Sequence, residues 1–126
     1  MSAFMPLKIL VVDDEEIVRH VLMAQLSHLG HQVQEAEDGY KGLQALTDEH
    51  YDAAFVDIRM PGLDGLAFLS QTKTIQPHMP VIMMSGHGSE NTWDEALAAG
   101  AFGLLEKPFH FQEVREFLDK INERSG

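Results

Sequence analysis

Apolar residues arrive along this chain in two rhythms. Four short unbroken runs, Ile9 to Val12, Ala53 to Val56, Val81 to Met84 and Gly103 to Leu105, are each bounded by polar or turn residues. Runs of that length, separated by helix-length segments, predict buried parallel strands. A fifth candidate, His31 to Ala36, mixes Val33 and Ala36 with Gln32, Gln34 and Glu35, as a strand with a wetter side would. Between the runs the period lengthens. Ile17, Val18, Val21, Leu22, Leu26 and Leu29 form the apolar stripe of a first helix, stopped by Gly30. Further helices are predicted at Tyr40 to Glu49, Gly65 to Gln76, Glu90 to Ala99 and Phe111 to Arg124, the last with Val114, Phe117, Leu118 and Ile121 on one face.

Five strand-helix units of this kind predict an α/β fold, a doubly wound five-stranded parallel sheet of the flavodoxin-like type. The oiliest strands belong in the centre and the weak second strand outside, which gives the order 2-1-3-4-5. Right-handed crossovers then put the first and fifth helices on one face and the other three on the opposite face. The chain reverses direction between strands one and three. Ligands of such sheets bind at the carboxyl ends of the strands beside that reversal.

Totals narrow the setting without changing the fold. The 126 residues are the size of one domain, and 44% of them are hydrophobic, enough for a core. Residues 1–6 read as a short leader without the basic and apolar regions of a signal peptide. Absence of cysteine and of any membrane-length apolar stretch fits a reducing, cytoplasmic setting. Twenty acids against nine lysines and arginines give a formal charge of -11, which repels a phosphate backbone and an anionic membrane surface alike. Direct nucleic-acid binding and membrane binding by this chain are therefore not expected.

The strand ends carry the chemistry. Asp13 and Asp14 end the first strand, Asp57 the third, Ser85 the fourth, and Lys107 follows the fifth. Each has a plain reading when taken singly: Asp13 and Asp14 as helix caps, Asp57 and Ser85 as loop residues, Lys107 as a solvated cation on an apolar stem. Their joint placement at one crevice argues otherwise. Two unit charges about 4 Å apart repel by roughly 4 kcal/mol at an effective dielectric of about 20, so three carboxylates need a cation. Lys107 offsets one charge, and an all-oxygen site with solvent access suits Mg²⁺, or Mn²⁺, better than zinc. A carboxylate facing such an ion can attack phosphorus in line, with a lysine and a hydroxyl sharing the charge on the equatorial oxygens. Glu15 and Glu16 are read as opening the first helix, and His28 and His31 as surface or edge residues, since no third ligand gives them a zinc-like spacing.

Val12-Asp13-Asp14-Glu15, the run Val56-Asp57-Ile58-Arg59-Met60-Pro61-Gly62-Leu63-Asp64-Gly65, Ser85 after an apolar strand, and Glu106-Lys107-Pro108-Phe109 together resemble the receiver domain of two-component response regulators. The resemblance covers nearly the whole chain. Met60 to Gly65, Ser85-Gly86-His87-Gly88 and Gly100-Ala101-Phe102 are most similar to receivers of the nitrogen-regulatory class. It implies a phosphorelay switch rather than a turnover enzyme. Asp57 would be the phosphoacceptor, served by a sensor histidine kinase, a phosphotransfer protein or a small donor such as acetyl phosphate. Asp13, Asp14, Asp57 and the main-chain carbonyl of Arg59 would hold Mg²⁺, with one acid acting through water.

The resemblance further implies that Lys107 pairs with the acceptor and then the phosphoryl group, that the bond to Pro108 is cis, and that Ser85 moves to the phosphoryl oxygen. The changed surface would be the fourth helix, fifth strand and fifth helix, presented to a partner, a second copy or a fused output domain. Arg59 and His87 occupy positions that gate water in the family, and their bulk predicts slow loss of phosphate. One departure stands out. The family usually has an aromatic residue where this chain has Leu104; Phe102, two positions earlier and so expected on the same strand face, is a candidate substitute, with plain packing as its favoured reading. The competing reading is a small Mg²⁺-dependent phosphatase or phosphotransferase with an aspartyl-phosphate intermediate. The end at Gly126 fits a stand-alone regulator or the N-terminal receiver of a longer protein.

Overall fold

In a computed structural model, residues 6–86 and 90–125 are described. Five strands, β1 (Lys8–Val12), β2 (Gln32–Ala36), β3 (Ala53–Asp57), β4 (Val81–Ser85) and β5 (Gly103–Glu106), alternate with five helices. These are α1 (Glu16–His28), α2 (Gly39–Asp48), α3 (Gly65–Ile75), α4 (Glu90–Ala98) and α5 (Phe111–Ser125). All neighbouring strands are parallel, in the order β2-β1-β3-β4-β5. The expected doubly wound sheet is therefore present, with β2 at an edge.

Alternation along the central strands feeds two separate cores. Leu10, Val12, Ala54, Val56, Val81 and Met83 pack toward Leu46 of α2, Phe68 and Leu69 of α3 and Ala96 of α4. Ile9, Val11, Phe55, Ile82, Met84 and Leu105 pack toward Leu22 and Leu26 of α1 and Val114, Leu118 and Ile121 of α5. Every residue of β3 and β4 is buried, which is why those runs are apolar throughout rather than alternating. Side-chain caps set two helix starts, Asp38 accepting from Lys41 N and Asp64 from Ala67 N, both at 2.8 Å.

Two expectations about faces are corrected. Ile17 and Val21, counted in the apolar stripe of α1, are 78% and 45% exposed, whereas Arg19 is 7% exposed. The helix meets the sheet through the line Arg19, Leu22, Leu26, so its core stripe is narrower than the hydrophobic period suggested. Likewise Phe102 does not share a face with Leu104. β5 begins only at Gly103, so the two-residue alternation of a strand does not reach back to Phe102. Leu104 packs in the α2–α3–α4 layer and Phe102 in the α1–α5 layer, edge-on to Phe117 with ring centroids 6.5 Å apart. That ring leaves no room for a side chain at 103, because a Cβ on Gly103 would lie 2.1 Å from Phe117 Cε1. His31 is buried as well as edge-placed, its Nδ1 accepting from Leu7 N at 3.0 Å.

Candidate functional site

The register of the sheet assembles the crevice. Val12 pairs with Val56, so Asp13 and Asp57, each one residue further on, stand level at the carboxyl edge. Asp57 pairs with Met84 and Ser85 with Glu106, which brings the fourth and fifth strand endings alongside. The main chain of Lys107 is tied across this edge by its N–H to Ser85 O, 2.9 Å, and the Lys107–Pro108 bond is cis. α3 starts very close to Asp57: Gly65 N donates to Ile58 O at 2.8 Å, and a Cβ on Gly65 would sit 2.4 Å from Asp57 O. Only glycine permits that approach.

Asp13, Asp14, Glu15 and Asp57 each present a carboxylate oxygen within 4.8 Å of the others. Asp13 and Asp57 are buried, Asp14 and Glu15 exposed. Lys107 Nζ reaches into this group, 2.8 Å from Asp13 Oδ2, 3.2 Å from Glu15 Oε1 and 3.5 Å from Asp57 Oδ2. It therefore pairs first with Asp13, and only at longer range with the expected acceptor. Arg59 N donates to Asp57 Oδ1 at 3.2 Å. Ser85 is buried at the end of β4, while His87 lies outside the described residues.

The electrostatics follow from this crowding. Burial, then the charge of Asp13, pushes the Asp57 carboxyl up to about 6, against the opposing pull of Lys107 and the Arg59 N–H. Burial alone would lower the Lys107 pKa, but its hydrogen bond to Asp13, the charges of Asp13 and Asp57 and its hydrogen bond to Glu15 outweigh it and hold the ammonium above its ordinary value. One lysine among four carboxylates leaves excess negative charge. The oxygen-only donor set and its spacing fit a hard divalent cation such as Mg²⁺ or Mn²⁺.

Two residues here were not foreseen from the sequence. Glu15 was read only as a helix opener; it is the N-cap of α1 but makes no side-chain cap, and its carboxylate faces Lys107 instead. Arg19 donates from Nη1 to the carbonyl oxygen of Asp13 at 2.8 Å. Its three- and seven-residue spacing from the buried Leu22 and Leu26 was the available signal. Phe102 and Leu104, in opposite layers, are not brought together.

Residues 9–119 match the family model described as the response regulator receiver domain. The chain is 33% identical over 120 residues to the two-component response regulator PhoP of Pseudomonas aeruginosa, covering 95% of this chain and 53% of that protein. It is 40% identical over 110 residues to the DNA-binding transcriptional regulator NtrC of Klebsiella pneumoniae, covering 87% of this chain and 24% of that protein. The chain thus spans about half, or less, of the length of these relatives. The receiver domain of NtrX from Brucella abortus superposes with a TM-score of 0.86 at 38% identity, over 91% of this chain and 98% of that one.

Proposed function

The chain belongs to the response regulator receiver domain family, and from that premise we propose that it is a phosphoacceptor switch modified on Asp57. Receiver domains of two-component systems are signalling switches rather than turnover enzymes, and they generally bind Mg²⁺. The observation that carries the assignment to this residue is the convergence of a buried carboxylate, a lysine 3.5 Å away and further carboxylate oxygens within 4.8 Å.

In this reading an oxygen of Asp57 attacks the phosphorus of a phosphohistidine or an acyl phosphate. The new O–P bond forms as the bond to the donor breaks, and its electron pair leaves with the imidazole or the carboxylate. Bound Mg²⁺ would supply positive charge to the acids and to the phosphoryl oxygens. Asp13, Asp14, Asp57 and the carbonyl of Arg59 would hold it. The Arg59 N–H on Asp57 Oδ1 fixes the carboxylate plane, and Lys107 is poised to move from Asp13 toward the phosphoryl group. The Ser85 hydroxyl would take a phosphoryl oxygen, and the strain would pass to α4, β5 and α5. Because Leu104 packs toward α4 and Phe102 does not, any coupling through β5 on that side would run through the leucine.

A sensor histidine kinase or phosphotransfer protein would be the donor. An output domain or a second copy of the chain would read the changed face. Mass analysis after acetyl phosphate with Mg²⁺ should show one phosphoryl group on the wild type and none on Asp57→Asn. Equal labelling of both, or turnover of a phosphomonoester that survives Asp57→Asn but not Asp13→Asn, would overturn the assignment in favour of a phosphatase.

A further inference from the structure

Arg19 is an odd residue to bury. It occupies a core position of α1 in line with Leu22 and Leu26, where a leucine would extend the apolar stripe without desolvating a charge. Its Nη1 donates to Asp13 O at 2.8 Å, while its buried Nε makes no hydrogen bond and has the Glu35 carboxylate of β2 as its neighbour at 3.9 Å. The guanidinium thus lies between an edge strand and the main chain of the first acid.

Asp13 is held on every side. Its N–H donates to Ala36 O at 3.2 Å, Oδ1 accepts from Glu15 N at 2.8 Å, and Oδ2 accepts from Lys107 at 2.8 Å. The carbonyl lies just past the last ladder residue, Val12, and Arg19 takes the place of a strand partner for it. Because a peptide unit is planar and rigid, fixing that oxygen also fixes the N–H and Cα of Asp14. Asp14 is exposed, and among the described residues no hydrogen bond holds its carboxylate. Its position is therefore set through the main chain.

We propose that Arg19 is a positioning residue for the acidic site, locking the peptide plane between Asp13 and Asp14 so that both carboxylates face one divalent cation. Glu35 orients the guanidinium from β2. Residues that orient metal ligands from behind typically change metal affinity about 10- to 100-fold when removed. The inference rests on the phosphoacceptor reading, since it assumes that the acids hold a cation.

The test is a titration of the folded chain with Mn²⁺, the free ion being counted by electron paramagnetic resonance, alongside urea unfolding of each variant. Arg19→Met, which keeps an apolar stem but no donor, should weaken Mn²⁺ binding about tenfold or more. Arg19→Lys should recover part of the loss, and Glu35→Gln should weaken binding by less than Arg19→Met. A purely structural arginine would instead lower the urea midpoint and leave the affinity of the folded protein unchanged, which would overturn the proposal. If Arg19→Met does not fold, unchanged affinity in both Arg19→Lys and Glu35→Gln overturns it equally. Asp14→Ala separates the two levels. If it abolishes Mn²⁺ binding while the Arg19 variants bind normally, only the positioning role falls; if it leaves binding intact, the acid pair is not the cation site and both fall.

Discussion

Replacing Asp57 by asparagine should stabilise the cation-free protein while abolishing its modification. The asparagine keeps the shape of the side chain and an oxygen for the Arg59 N–H. What it removes is a carboxylate pushed from 3.8 to about 6 by burial and by Asp13. A shift of about two units corresponds to roughly 3 kcal/mol of disfavoured ionisation. The attraction to Lys107 is already included in that shift, and screening by water in the open crevice reduces the figure further, leaving a net gain of about 1–2 kcal/mol at neutral pH.

The sign is fixed by which state binds the proton. Because the folded pKa lies above the unfolded one, the native state holds more protons between about pH 4 and pH 6. Stability from this group is therefore lost as pH rises through that window. Urea unfolding in EDTA should show Asp57→Asn more stable than wild type at pH 7.5, with the gap closing near pH 4. At about 4 °C per kcal/mol for a domain of this size, the midpoint should rise by about 4–8 °C in a thermal melt. Saturating Mg²⁺ should narrow the gap from the wild-type side, since a cation bound only by the folded state adds stability. An Asp57→Asn protein no more stable than wild type in EDTA, or a gap independent of pH, would refute the electrostatic account of the crevice.

Gly65→Ala should cost about 1–3 kcal/mol by urea unfolding and slow labelling by acetyl phosphate, because the new methyl would meet Asp57 O at 2.4 Å; a neutral substitution would mean that α3 is free to shift. Asp14→Ala should weaken Mg²⁺ binding and labelling, whereas Glu16→Ala, on the first turn of α1 and outside the acid cluster, should leave both nearly unchanged by calorimetry and mass analysis. Making Arg59 and His87 both alanine should shorten the phosphoryl half-life, followed by loss of label after donor removal; an unchanged or longer half-life would remove bulk as the reason for slow decay.

How much was legible depended on what each residue touches. β3 and β4 could be read from composition because both of their faces are buried, so the apolar run itself was the signal. Asp13, Asp57, Ser85 and Lys107 could be placed because strand ends are visible as the points where such runs stop. The errors arose where period alone had to choose a side. A stripe of apolar residues does not say which of its margins meets the sheet, and α1 turned Arg19 inward and Ile17 outward. An alternation of two holds only inside a strand, so Phe102, before β5 begins, fell into the opposite layer from Leu104. The side chain of Glu15 could not be assigned from sequence, since its partner Lys107 is 92 positions away.

The bond between Lys107 and Asp13 joins residues 94 positions apart, and that separation has a consequence for the order in which a nascent chain is completed. Synthesis runs from β1 to β5, so the three strand-end aspartates emerge long before the ammonium that offsets them. A growing chain with four strands out would hold an acidic crevice without its lysine and a sheet without its last strand. The energy of one ion pair cannot close so long a loop; pairing of β5 against β4 must deliver Lys107. The electrostatic finishing of the crevice is thus tied to the arrival of β5, so a ribosome-bound chain would complete the crevice only once that strand has emerged.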